Sequence, residues 1–89
     1  MRLDKFLKVS RLIKRRTVAK ELADKGRVEI NGQPSKASSL VKSGDVLTLH
    51  FGQKLVKVRV QSLKETAKKE EADSLYELIS ESFAEKKNN

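Results

Sequence analysis

Apolar and polar positions follow two different periods along this 89-residue chain. Near the N-terminus Leu3, Phe6 and Leu7 recur at i, i+3 and i+4, which predicts a short amphipathic helix within "RLDKFLKVS". Arg2, Lys5 and Lys8 line another side of that helix, and Asp4 stands one turn before Lys8, a spacing that suits an ion pair. A second helix is expected from about Arg15 to Lys25, with Val18, Ala19, Leu22 and Ala23 on its apolar side. Gly26 is its natural stop, because glycine takes the left-handed conformation without strain. Leu12 and Ile13 lie between the two helices, placed to fill the gap.

The period then shortens to two. Val28 and Ile30 alternate with Glu29, and Asn31-Gly32 is a strong signal for a tight hairpin turn. "SGDVLTLHF" supplies a turn at Ser43-Gly44-Asp45 and a strand holding Val46, Leu47, Leu49 and Phe51. "GQK" reverses the chain, and the following strand points Val56, Val58 and Val60 inward and Lys57 and Arg59 outward. The tail returns to helical spacing: Ala72, Leu75, Tyr76 and Ile79 form one stripe, Phe83 extends it, and the final residues are expected to fray. Glu70, Glu71 and Asp73 suit the first turn of that helix. The expected class is α+β: two short helices on a small, mainly antiparallel sheet, plus a C-terminal helix. Residues 1–62 make the domain and residues 63–89 a helical extension.

Composition changes the picture through charge. The chain has 37% hydrophobic and 36% charged residues and a net charge of +8, so it should fold while carrying a highly charged surface. It has no cysteine, which removes disulfides, thiolate metal sites and thiol nucleophiles together. No apolar run has the length of a signal peptide core or a membrane span, so a cytoplasmic chain without a membrane partner is expected. The first 20 residues hold eight basic side chains against Asp4 alone, whereas residues 62–89 are slightly acidic. Such asymmetry is expected of a surface that meets a polyanion.

On the predicted framework Arg11 and Lys14 sit in the turn, Arg15 and Arg16 open the second helix, and Lys20 continues one turn past Arg16. A helix N-terminus already carries partial positive charge, so arginines there are unfavourable until an anion arrives. Removing Arg16 is therefore expected to leave the fold intact and relieve self-repulsion. Phosphate suits the arrangement, because a guanidinium grips two of its oxygens at once. Arg27, the Asn31-Gly32 turn and Lys36 form a second wall. The Asn31-Gly32 turn is either only a hairpin or a direct contact. Together these groups suit structured RNA read by shape and phosphates. They suit stacked bases poorly, since the three Phe and one Tyr are better explained as core.

"RLDKFLK", then Arg15-Arg16-x-x-Ala19, Gly26-x-Val28-x-Ile30-Asn31-Gly32 and Gly44-Asp45-x-Leu47, is similar to the αL RNA-binding motif, named after the fourth protein of the small ribosomal subunit. The resemblance covers roughly residues 2–51. Within that family, "MRLDKFLKVSRLIKRR" and "FGQKLVKVRV" resemble the small stand-alone ribosome quality-control members, related to the ribosome-associated fifteen-kilodalton heat-shock protein. The resemblance implies binding to large-subunit rRNA and peptidyl-tRNA on a stalled large subunit, beside the factor that adds alanine tails. It places RNA contacts on Arg2, Arg11, Lys14, Arg16, Lys20 and Asn31-Gly32. Asp4 either orients Arg2 or contacts RNA hydroxyls itself. Many members have Ser or Thr where this chain has Arg15. Either Thr17 caps a later helix start or the helix lacks a cap until phosphate binds.

His50 reads as a strand side chain rather than a metal ligand or base, and Glu70, Glu71 and Asp73 read as a solvated helix start rather than an acid–base pair. Residues 52–89 are too few for a catalytic domain of the kind this motif accompanies in pseudouridine synthases and tRNA synthetases. No enzyme activity, cofactor or metal is expected. A heat-shock-type recycling factor for large subunits and a DNA-binding helix-turn-helix regulator are the alternatives. The free chain is expected to be a monomer, because no apolar stripe is left over once the core is assigned.

Overall fold

The computed structural model describes residues 1–65 and 67–83. The chain forms α1 (Leu3–Val9), α2 (Arg16–Asp24), β1 (Val28–Ile30), β2 (Gln33–Pro34), β3 (Val46–Phe51), β4 (Lys54–Val60), α3 (Lys69–Ala72), a 3-10 turn (Asp73–Leu75) and β5 (Tyr76–Phe83). All five strands make one antiparallel sheet in the order β2-β1-β3-β4-β5. This is the expected α+β class, with helices packed against an antiparallel sheet.

Periodicity accounts for the core. Leu3, Phe6 and Leu7 of α1 are fully buried, as are Val28, Leu47, Leu49 and Val58 on the sheet, and Ile13 plugs the gap between the helices. Burying side chains of this size contributes about 1.5–3 kcal/mol each, which is what holds so small a domain together. The second helix buries Ala19 and Ala23, while Leu22 is half-buried and Val18 stays exposed at 44%. Small residues at its contact let α2 lie close to α1. Gly26 ends the helix with φ of 78°.

The hairpin signal is met in full. Asn31 and Gly32 both take left-handed backbone, with φ of 53° and 87°, as a type I′ turn requires. The Asn31 side chain does more than tolerate that geometry. Its Oδ1 accepts from the Val46 backbone N–H at 2.9 Å, and its Nδ2 donates to Asp45 at 3.1 Å. The turn is thereby fastened to the start of β3.

The tail departs from expectation. Helical structure covers only Lys69–Leu75, where Ala72 and Leu75 are buried as the stripe predicts. From Tyr76 onward the chain is strand β5, paired with β4 from Val60↔Tyr76 to Lys54↔Phe83. The open edge of β4 offers a row of backbone partners, and an isolated short helix is marginal in water. Cross-strand charge also favours the strand: Arg59 donates to Glu77 at 3.1 Å, and Lys54 pairs with Glu81. Leu78, Ile79 and Phe83 consequently remain exposed, at 54%, 41% and 72%. The expectations that every aromatic belongs to the core and that no apolar side chain is left over are corrected accordingly. The final residues expected to fray, 84–89, lie outside the described residues.

Candidate nucleic-acid interface

Asp4 organises the start of α1. Its carboxylate is almost wholly buried, yet the backbone N–H of Asp4 bonds the Ala37 carbonyl at 3.2 Å and that of Leu3 bonds Ser39 at 2.7 Å. The 37–39 segment thus satisfies the helix start that the Arg2 N-cap leaves open. The Asp4 carboxylate is then free to accept from side chains. Arg2 grips both oxygens, Nε to Oδ1 and Nη2 to Oδ2, each at 3.3 Å. Arg16 adds Nη2 to Oδ1 at 3.4 Å. The pairing of Asp4 with Lys8 suggested by their spacing is not formed; two arginines take its place.

The consequence is electrostatic as well as geometric. Burial alone would push the Asp4 carboxyl up, but the hydrogen bond and charge of Arg16, the charge of Arg2 and the Lys5 backbone N–H outweigh it and hold the group below its usual range. Asp4 therefore stays ionised and partly balances two guanidinium groups. Arg2 and Arg16 keep about half of their side-chain surface in solvent, 47% and 48%, so both remain able to reach an outside anion. Arg16 thus makes a bond within the fold as well as presenting charge, which sets the loss of that bond against the expected relief of self-repulsion.

The second helix has no side-chain cap. Arg15 is its N-cap, in extended backbone, and no side chain bonds the first-turn N–H groups. Of the two readings of the helix start, this is the one without a later cap at Thr17. Arg15, Thr17 and Lys20 are exposed around that end.

A second basic group gathers where α1 gives way to α2. Lys8, Arg11 and Lys14 surround a cleft of about 440 Å³. Arg11 holds left-handed backbone, φ of 62°, which costs a residue with a Cβ roughly 1–2 kcal/mol. Ser10 stabilises this reversal: its hydroxyl donates to the Leu7 carbonyl at 3.3 Å and accepts from the Leu12 N–H at 3.4 Å. Sequence inspection missed one member of the cleft. Lys69 on α3 lines its other side, and only tertiary structure brings it there.

The remaining candidates divide. Lys5 pairs with Glu65, whose carboxyl that ammonium group lowers, so Lys5 is partly committed within the fold. Arg27, Gly32 and Lys36 are exposed at the β1–β2 side, where the Asn31 side chain is already spent on Asp45 and Val46. His50 has a neighbour that sequence did not reveal: its Nε2 lies 3.0 Å from Glu29 Oε2 across the sheet. Among the described residues no group of three His, Cys, Asp or Glu side chains could hold a metal ion, and no helix is long and apolar enough to cross a membrane.

The arrangement can grip phosphates. Half-exposed arginines aimed by a buried carboxylate supply bidentate forks, and the cleft adds point charges at a helix–helix reversal. The S4 domain matches residues 1–47. The chain is 68% identical over 81 residues to the RQC P-site tRNA stabilizing factor of Bacillus subtilis, an alignment that covers 91% of this chain and 94% of that one. The factor of the same name from Halalkalibacterium halodurans is 60% identical, with 91% and 92% covered. Among solved structures, a trimeric heat shock protein 15 from Vibrio cholerae superposes with a TM-score of 0.83 at 31% identity, covering 90% of this chain and 82% of that one. This chain, with its Asp4-braced arginines at the head of two short helices, belongs to the S4-domain family and, within it, to the RQC P-site tRNA stabilizing factors.

Proposed function

We propose that this protein is a non-enzymatic RNA-binding factor of ribosome-associated quality control, which holds tRNA in the P site of obstructed large subunits. The near full-length identity to P-site tRNA stabilizing factors carries this reading. The physical argument supports it: the exposed cations crowd onto the two-helix end, and shape-and-phosphate recognition needs no aromatic platform. In this reading residues 1–62 are the RNA-reading unit and residues 63–89 an extension, of which β5 completes the sheet.

The contacts fall on Arg2, Arg11, Lys14, Arg16 and Lys20, with Lys8 and Arg15 beside them and Arg27, Gly32 and Lys36 as a flanking wall. Asp4 acts through Arg2 and Arg16 by fixing their direction. Large-subunit rRNA and peptidyl-tRNA are the two ligands, and stabilising the tRNA supports the factor that adds alanine tails. The protein works in the cytoplasm, on the ribosome, and is a monomer when free. The register irregularity of the β4–β5 ladder at Lys57/Val58 makes the outer β5 edge a poor template for a second copy.

Two measurements test this. Large subunits isolated with the chain bound and imaged by cryo-electron microscopy should show density for it against both tRNA and rRNA. Binding to tRNA should exceed binding to duplex DNA of equal charge; equal affinity would favour the DNA-binding alternative.

A further inference from the structure

The cleft at the α1–α2 reversal is lined by Lys8, Arg11, Lys14 and Lys69, and by no carboxylate. Four cations around one recess repel each other, and nothing among the described residues pairs with any of them in an ion pair. Glu65 borders the adjoining recess, but its carboxylate is engaged by Lys5. Lys69 reaches the cleft because α3 and the turn after it are seated by the buried Ala72 and Leu75. A second observation points the same way. Arg11 keeps a left-handed backbone that glycine would hold without strain, so its position favours the side chain over local stability.

We infer that this cleft is a phosphate-binding site of its own, distinct from the Arg2–Asp4–Arg16 cluster, and that Lys69 of the extension is one of its ligand-binding residues. Its ligand is the phosphodiester backbone of structured RNA. The volume, about 440 Å³, admits a phosphate with its flanking sugars. The groups are mostly ammonium point charges around a single guanidinium, which suits a backbone passing through more than a fixed base edge. Lys69 lies outside the matched S4 domain, so the extension takes part in binding as well as completing the sheet. The inference rests on the RNA-binding reading above and extends it to the far side of the cleft.

The test is tRNA binding across a salt series, using the full chain and unfractionated deacylated tRNA. Wild type, Lys69→Gln, Lys69→Arg and Lys42→Gln are compared, Lys42 being an exposed lysine on the 35–45 loop outside both clusters. Thermal unfolding of each variant confirms that it folds. The expected result is that Lys69→Gln lowers the slope of log affinity against log salt by about one, while Lys69→Arg and Lys42→Gln keep the wild-type slope. If Lys69→Gln tracks wild type while wild type binds in a salt-dependent way, the inference is overturned and the proposed function stands. If wild type shows no salt-dependent binding to tRNA, both fail together.

Discussion

Arg16 Nη2 donates to Asp4 Oδ1 across 3.4 Å, joining residues twelve positions apart at the first turns of α1 and α2. A buried carboxylate thereby binds two half-exposed arginines at once. The pair converts a crowded basic segment into an aimed one.

Replacing Asp4 by Asn keeps the side-chain shape and removes the charge. The expected cost is about 1 kcal/mol of stability, since the arginines are half in solvent and regain hydration. Binding to tRNA should weaken further than this loss of folding explains, because Arg2 and Arg16 lose their common orienter. Urea unfolding and tRNA binding at equal folded fraction separate the two effects. Unchanged affinity would reduce Asp4 to a packing residue.

Arg16→Ala should melt slightly lower than wild type, by the loss of one hydrogen bond to a carboxylate, about 0.5–1.5 kcal/mol. It should also lose roughly one unit of salt slope in tRNA binding. Arg15→Ala should do less, because Arg15 is exposed and makes no hydrogen bond to Asp4. A variant that melts lower but binds normally would make Arg16 purely structural.

The lowered pKa of Asp4 fixes the sign of a pH effect. A carboxyl whose folded-state pKa lies below its ordinary value of 3.8 stabilises the fold fully above that value. The contribution disappears as pH falls through the folded-state pKa. The difference in unfolding free energy between wild type and Asp4→Asn should therefore be constant at neutral pH and close in acid. A gap unchanged from neutral pH into acid would assign the effect to shape rather than charge.

Arg11→Gly separates stability from binding at the cleft. Glycine relieves the left-handed backbone but adds freedom to the unfolded chain, so stability should stay within about 1 kcal/mol of wild type. Binding to tRNA should fall, since one guanidinium leaves the cleft. Full affinity in a stable Arg11→Gly protein would show that the residue serves only the turn.

Asn31→Ala should destabilise by about 1–3 kcal/mol. It removes both hydrogen bonds that fasten the hairpin to β3 and places alanine at a φ of 53°. Chemical denaturation measures this directly. A loss below 0.5 kcal/mol would mean that Gly32 alone holds the turn.

Local rules made much of this protein legible in its sequence. The i, i+3, i+4 spacing of Leu3, Phe6 and Leu7, the alternation of Val56, Val58 and Val60 and the stop at Gly26 depend on neighbours within a turn or a pleat, so α1, α2 and β4 follow from them. Charge position is equally local, which is why the basic end of the chain was visible before any fold was known. Tertiary structure decided what no short window contains. Ala72, Leu75, Tyr76 and Ile79 have helical spacing, yet the open edge of β4 offers backbone partners and opposite charges, and the chain from Tyr76 becomes a strand. Asp4 has Lys8 one turn away in sequence, but packing of α1 on α2 sets Arg16 against it, and the bond and charge of Arg16 help outweigh the cost of burying the carboxylate. Lys69 is more than fifty residues from Arg11, and the two line one cleft because burial of Ala72 and Leu75 seats the segment that carries Lys69.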